Sequence, residues 1–368
     1  MEPSVLFESS DGAAVVIDVP RSLEEAQVLP GRAIPRRIIS TAPAELPWKV
    51  PEPKRGSVKH VSPSAAVAEL MALESVKAAL ALVRAGYDGP WCLPRVTCEQ
   101  AIGPEPTRTG ESGADAGATK ARSQMRKRRY RPSSASPLSE EDKETSRGPL
   151  IPEQSCHLLG TIASEREAFL RDAPQFDLVV LDPPWPSRSV KRKSDSYTVA
   201  HDMGEVRALL SQIPIASHLK HNGLVAIWVT NKAAVTDLLT EPGGMLAQWG
   251  LEPVGEWIWV KITSAGEPIL DVESSWRKPW ERLLIARKLG SPILLPTNMK
   301  VILGAPDIHS RKPNLRRLFT DILPTNYAGL EVFARNLTAG WWSWGNEVLL
   351  FQQEHHWAPL EDGQVIAL

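Results

Sequence analysis

The 368-residue chain has little cysteine: only Cys92, Cys98 and Cys156. Three thiols make no disulfide framework and fit no zinc-ligand spacing, which points to a reducing compartment. Surplus charge is missing as well, with 42 basic against 43 acidic side chains and a formal net charge of −1. No global field therefore selects a polyanionic partner, and any nucleic-acid binding must come from local patches. No apolar run reaches membrane-spanning length, and the opening "MEPSVLFESSDG" lacks the charged-then-apolar pattern of a secretory signal. A soluble, intracellular protein without membrane contact is expected. No Ser/His pair or carboxylate cluster has the spacing of a hydrolase or nuclease. There is also no internal repeat, and no glycine-rich G-x-G-x-x-G after the first strand of the apolar region.

What is present changes sharply along the chain. Its length allows one large domain or two of ordinary size. Residues 1–102 read as an N-terminal region: proline-rich to about residue 60, with one strand at "AAVVIDV" and one helix. That helix is capped by Ser62 or Ser64 and runs to about Gly86. Residues 103–149 are Gly, Ser, Pro and charge with almost nothing to bury, which predicts a disordered basic linker. Residues 150–354 alternate apolar strands with helical stretches, and 355–368 form a tail. Strands are expected at 176–182, 223–230, 253–262, 281–287, 300–304, 329–334 and 347–352. Helices are expected near 204–220, 232–249 and 314–323. The alternation predicts an α/β domain, a mostly parallel sheet covered by helices.

One stretch stands out chemically. "FDLVVLD" reads as a buried strand, and it runs directly into "PPW". Proline stops the strand, having no N–H for the ladder. Asp182 therefore stands at a strand's carboxyl end, where open α/β sheets hold ligands. The exocyclic amine of a purine is a poor nucleophile because its lone pair is delocalised into the ring. Two acceptors on its N–H bonds would draw that pair out of conjugation, and the Asp182 carboxylate and Pro183 carbonyl are candidates. Pro184 has no N–H to occupy that carbonyl, and Trp185 offers a face for stacking. Such a site works by orientation and electrostatics without a metal. The plain structural alternative is a strand-ending Asp-Pro turn packed by a tryptophan.

"DPPW", followed in order by "GLVAIWVTNK", "WIWVKIT", "RKPWE", "HSRKP", "EVFARN" and "SWGNE", resembles the DPPW-type adenine-N6 methyltransferases, the family of the eukaryotic messenger-RNA adenosine methyltransferase. "DPPWPSRSVKRKSDSY" and "EVFARNLTAGWWSWGNEV" are most similar to the branch called methyltransferase-like protein four. The resemblance spans roughly residues 155–351. It implies a Rossmann-like, S-adenosylmethionine-dependent methyltransferase sheet with permuted motif order, which accounts for the missing glycine-rich turn. By the same resemblance Lys278 would hold the cofactor's methionine carboxylate, and Arg335 and Asn336 would approach its ribose. Asn346 and Glu347 would face ribose and adenine, and the backbone around Cys156 and His157 would lie against the adenine. Glu331 would either hydrogen-bond Lys278 or end a strand. One departure is Leu337, where the messenger-RNA enzyme has a histidine.

The resemblance implies RNA as substrate, in particular an internal 2′-O-methyladenosine of a small nuclear RNA, with DNA as the alternative. A catalytically silent RNA-binding subunit is the reading of another class, and the intact "DPPW" speaks against it. Arg188, Lys191, Arg192 and Lys193 form a basic loop after Trp185, suited to phosphates or merely solvated. His309 and Arg311 of "HSRKP" are expected to line the same groove. Most tryptophans read as core, with Trp185 and Trp280 placed to touch ligand. The cluster "KARSQMRKRRYRP" at 120–132 reads as a nuclear-import address, a nucleic-acid tether or both, giving a nuclear protein that is also compatible with the cytoplasm. No protein partner is legible.

Overall fold

In "FDLVVL" every residue is buried, and alternate side chains feed two different apolar clusters. A strand buried on both faces belongs inside a covered parallel sheet. A computed structural model of the chain describes residues 3–49, 63–97, 148–186, 202–274, 277–297 and 299–360. Its strands are β1 (Val5–Glu8), β2 (Ala14–Ile17), β3 (Arg36–Ser40), β4 (Val96–Thr97), β5 (Cys156–Leu159), β6 (Phe176–Leu181) and β7 (Leu219–Val229). They continue with β8 (Leu251–Lys261), β9 (Trp280–Lys288), β10 (Met299–Gly304), β11 (Gly329–Val332), β12 (Trp342–Gly345) and β13 (Trp357–Pro359). The helices are α1 (Val19–Ala26), α2 (Pro63–Gly86), α3 (Ile162–Asp172), α4 (Met203–Ser211), α5 (Ile215–His218), α6 (Ala233–Thr240) and α7 (Met245–Gln248).

Ten strands form one sheet in the order β1-β2-β10-β8-β9-β7-β6-β11-β12-β5. Only β1 and β9 run antiparallel to their neighbours. The fold is the expected α/β, Rossmann-like one. Val179, Leu181, Val225 and Ile227 pack on one face beneath α3, α4, α6 and α7, while α2 covers the β2–β10–β8 part with Val76, Leu80 and Val83. Leu178, Val180, Trp228 and Trp259 point the other way, towards Leu315, Phe319 and Tyr327. Trp257 stacks on Phe319 there, with ring centroids 4.7 Å apart. Polar side chains start the helices as their sequence suggests: Thr161 caps α3 through Ser164 N–H (3.0 Å) and Asp202 caps α4 through Glu205 N–H (2.9 Å).

Several expected elements are redrawn. The helix expected at 204–220 is cut by Pro214 into α4 and α5, and that at 232–249 is cut at the Pro242-Gly243-Gly244 turn into α6 and α7. The stretch 314–323 keeps a helical spacing of buried Leu315, Leu318, Phe319 and Leu323, yet makes only a short 3-10 turn, Arg316–Phe319. The Asn314 side chain there accepts the Arg316 N–H at 3.0 Å, competing with a regular helix start. The strand expected at 347–352 is instead β12, which finds parallel partners on both sides in β11 and β5. Residues 350–352 form a 3-10 turn.

Divisions expected at 102 and 354 do not separate the described residues. β2 lies parallel to β10, and Lys300 of β10 pairs with Glu8 of β1 at 3.0 Å. β13, from the expected tail, pairs with β3 of the N-terminal region. Residues 103–147, including the basic cluster at 120–132, lie outside the described residues, as do 187–201. No helix among the described residues is long and apolar enough to cross a membrane.

Gly329, the first residue of β11, is a point of close approach: a Cβ there would overlap the indole of Trp341, which is buried. Gly329→Ala is expected to cost about 1–3 kcal/mol, the usual penalty for overpacking. Urea unfolding measures this, and an unchanged midpoint would show that the ring yields freely.

Candidate active site

The sheet order makes β6 a switch point, with β7 on one side and β11 on the other. Ligands of open α/β sheets lie outside the carboxyl ends of strands at such a place. Asp182 is the first residue past β6, and its N–H donates to Val332 O of β11 at 3.3 Å. The next residues turn back on themselves. Trp185 N–H donates to Pro183 O (2.8 Å), and the Trp185 indole N–H donates to Trp228 O (2.7 Å). The Pro183 carbonyl thus carries one hydrogen bond and retains a second lone pair. Trp185 is only 8% exposed and packs in the core, so its described position is a wedge that fixes the turn rather than an open stacking face.

Charged groups from four strand ends converge on Asp182. Lys312 Nζ lies 3.0 Å from each Asp182 carboxylate oxygen and 3.2 Å from Glu281 Oε2. It also sits 5.6 Å from the centroid of the Trp228 ring. Glu281, second residue of β9, is held from its other side by Lys261 of β8 at 2.5 Å. Arg335 reaches Asp182 at 3.4 Å and Glu347 at 3.1 Å. Burial alone would raise the Glu281 carboxyl, but Lys312 and Lys261 together pull it down to about 2. Burial alone would lower Lys312, and Asp182 with Glu281 reverse this, leaving it raised. Glu331 has no such partner at hand: burial, then the neighbouring Asp182 charge, push its pKa up to about 7 against the weaker pull of Arg335 and Lys312.

A pocket opens between these groups, lined by Asp182, Trp228, Lys312, Glu331, Arg335 and Asn336 among others. Two of its walls have strained backbone: Ser310 at φ 75° and Phe333 at φ 62°, in the left-handed region that non-glycine residues rarely adopt. Phe333 leaves β11 there and aims Arg335 and Asn336 across the strand ends. Asn346 and Glu347 follow β12 directly, and the neighbouring β5 ends at Leu159, with Gly160 N–H donating to Gly345 O at 3.3 Å.

The structure thus brings Asp182, Glu331, Arg335, Asn336 and Glu347 together, with exposed Asn346 at the rim. Other expectations are corrected. Lys278 is not in this pocket. It pairs with Glu69 of α2 at 3.2 Å and stands 5.0 Å above the Trp280 ring, so it meets neither ligand groove nor Glu331. Trp280 itself is 2% exposed and belongs to the core under α2. Arg311 is buried against Asp307 (2.6 Å), the Ile39 carbonyl and the Phe351 ring, a tie between segments rather than a groove lining. Cys156 and His157 start β5 opposite Trp342 and Ser343, whereas the ligand edge is the other end of that strand. His309 is exposed at the rim; desolvation on its protein-facing side, then the Lys261 charge, push its pKa below the ordinary value. Arg188, Lys191, Arg192 and Lys193 lie outside the described residues. The residues that sequence reasoning missed are Lys312, Glu281 and Lys261. Lys312 lay inside the quoted "HSRKP", one position beyond the arginine chosen from it.

Known proteins share these features. The chain matches the MT-A70 family over residues 176–347. The N6-methyladenosine RNA methyltransferase MTA1 of Cryphonectria parasitica is 47% identical over 362 residues, which cover 96% of this chain and 94% of that protein. The N(6)-adenine-specific methyltransferase METTL4 of Homo sapiens is 36% identical over 225 residues, 58% of this chain and 46% of that protein. A DNA N6-methyl methyltransferase of Caenorhabditis elegans is 33% identical over 208 residues, 56% of this chain and 54% of that protein.

The raised Glu331 carboxyl makes a pH-dependent contribution to stability. Its folded pKa of about 7 exceeds the ordinary 4.5, so between those values the folded chain holds a proton that the unfolded chain releases. Stability from this group therefore falls as pH rises from about 4.5 to 7 and is level beyond. Glu331→Gln should be more stable than wild type at pH well above that window and gain nothing below it. Thermal unfolding at the two extremes decides this, and a pH-independent difference would refute it.

Proposed function

The chain belongs to the MT-A70 family and is an N6-adenine methyltransferase, and on that premise we propose that it methylates adenine in RNA, using S-adenosylmethionine. The observation that carries the reading is Asp182 at the switch point, with Lys312, Arg335 and Asn336 in one pocket beside it. RNA is favoured over DNA because the relative covering 94% of its own length is named an RNA methyltransferase, whereas the relative named for DNA matches 56% of this chain.

The donor set of the pocket suits the cofactor. A methionine moiety needs a cation for its carboxylate and acceptors for its ammonium; Lys312 supplies the first, and Asp182 and Glu331 the second. A ribose diol needs groups that donate and accept, which Asn336 and the Arg335–Glu347 pair offer. An adenine edge would lie against the Leu159–Gly160 backbone and Asn346, at the carboxyl ends of β5 and β12. When bound, S-adenosylmethionine supplies a methyl group on a positively charged sulfur. Everything else falls to this chain. Asp182 and the second lone pair of Pro183 O accept the two N–H bonds of the target amine, drawing its lone pair out of the ring and aiming it at the methyl carbon. Trp185, fixed by the Trp228 carbonyl, holds Pro183 in place for that role. Arg188, Lys191, Arg192, Lys193 and His309 serve the RNA phosphates around the pocket mouth.

The finer reading follows the methyltransferase-like protein four resemblance: an internal 2′-O-methyladenosine of a small nuclear RNA, in the nucleus, with the basic cluster at 120–132 as import address. DNA is the second reading, supported by the C. elegans relative.

Methylation with labelled cofactor, comparing RNA bearing adenosine, RNA bearing 2′-O-methyladenosine, and single- and double-stranded DNA, tests the substrate; methyl incorporation into DNA alone would overturn the RNA reading. Asp182→Asn should lose turnover by roughly a hundredfold or more while staying folded, the scale of losing one preorganised electrostatic contact. Near-normal turnover in that variant would remove Asp182 from the chemistry.

For the cofactor, Lys312→Ala should weaken S-adenosylmethionine binding by about 1.5–3 kcal/mol, the range for a hydrogen bond to a charged group. Lys278→Ala should bind as wild type does. Calorimetry on both separates them, and the reverse pattern would restore Lys278.

A further inference from the structure

Lys312 has three N–H donors and three carboxylate oxygens around it: both of Asp182 at 3.0 Å and one of Glu281 at 3.2 Å. Its donors are therefore fully committed. The two oxygens it covers on Asp182 are the ones the target amine must reach. The contacts are unequal in what breaking them leaves behind. If Lys312 lets go of Asp182, Arg335 still stands 3.4 Å from that carboxylate, so no bare charge is stranded. On the other side Glu281 is fixed by Lys261 at 2.5 Å, and it keeps hold of Lys312. The exchangeable contact is the one to Asp182.

We infer that Lys312 is an internal counter-ion which blocks Asp182 until the cofactor's carboxylate draws it away, so that cofactor binding prepares Asp182 for the target amine. The inference rests on the reading that this pocket takes S-adenosylmethionine by its amino-acid end. Cofactor and substrate amine then bind with positive coupling, and the coupling passes through one ammonium group. Glu281, with Lys261 behind it, positions Lys312 on an arc that reaches either carboxylate. By linkage the effect is reciprocal: the amine must strengthen cofactor binding by the same factor as the cofactor strengthens amine binding.

The test uses the full chain and the oligoribonucleotide it methylates best, compared with the same RNA carrying purine riboside, which lacks the exocyclic amine, at the target position. Affinities are measured by fluorescence anisotropy alone, with S-adenosylhomocysteine, and with 5′-methylthioadenosine, which lacks the amino-acid moiety. Without ligand the two RNAs should bind alike. With S-adenosylhomocysteine the adenosine RNA should bind roughly tenfold tighter than its analogue, within the usual span of coupling between sites. With 5′-methylthioadenosine the discrimination should vanish again. Calorimetry should find S-adenosylhomocysteine affinity raised by the same factor with the adenosine RNA. Full discrimination without any ligand, equal discrimination with 5′-methylthioadenosine, or none with bound S-adenosylhomocysteine would each overturn the inference. Failure of S-adenosylhomocysteine to bind at all would instead sink the cofactor reading on which it rests. In Lys312→Met, where nothing covers Asp182 from that side, discrimination should appear without ligand; if it still requires S-adenosylhomocysteine, Lys312 is not the block.

Discussion

The ion pair between Asp182 and Lys312 is the constraint around which the active edge is arranged. Each partner is 17% exposed, so neither can rely on water for its charge. Taking one charge from such a pair leaves the other uncompensated, at a cost of several kcal/mol. The protein surrounds the pair with alternating signs, Lys261, Glu281, Lys312, Asp182, Arg335 and Glu347, each touching the next. A carboxylate that must grip an amine can stand at a half-buried strand end because this chain of charges holds it. Glu331 is the member left over, and its raised pKa is the local consequence of placing one more acid beside Asp182.

That row of charges is assembled from strands far apart in sequence. Asp182 follows β6, Lys261 ends β8, Glu281 opens β9, Lys312 lies between β10 and β11, and Glu347 follows β12. β9 runs against its neighbours, so its first residues meet the last residues of β8 and β7 at one edge. An antiparallel strand in a mostly parallel sheet thereby delivers Glu281 to the active edge, which a parallel strand in that place would not do. The N-terminal strands extend the same sheet at its far side, and β3 pairs with β13 near the C-terminus. Catalytic core and N-terminal region are therefore one folded body among the described residues.

Backbone strain marks where this assembly is tightest. Ser310 and Phe333 both adopt positive φ, and both line the pocket. Each turns a chain segment sharply just before a charged residue that points inward, Lys312 and Arg335. Surrounding structure sustains such conformations only when it gains contacts elsewhere, here the ion pairs at 3.0 and 3.4 Å.

Much of this was legible along the chain. "FDLVVLDPPW" marked a buried strand and its end, because β-branched runs and proline act through neighbouring backbone groups. The helix of α2, the α/β alternation and the ends of β6 and β11 followed in the same way, and with them Asp182, Arg335 and Asn336. What the sequence could not rank were two local patterns of equal quality. "RKPWE" and "SRKPN" each offer a lysine before a proline, and only the sheet order carries the second across the switch point and the first to α2. Trp185 reads locally as a stacking face; its burial depends on the Trp228 carbonyl, 43 residues later. "EVLLFQ" is as apolar as "WWSWG", but the strand formed where β11 and β5 were both available as partners. The sequence by itself determined what acts over a few residues: the strand and helix starts, the proline stops, the acid at the strand's end. Tertiary structure alone decided which charges face that acid, because ion pairing and strand pairing are contacts between segments that the chain order does not place together.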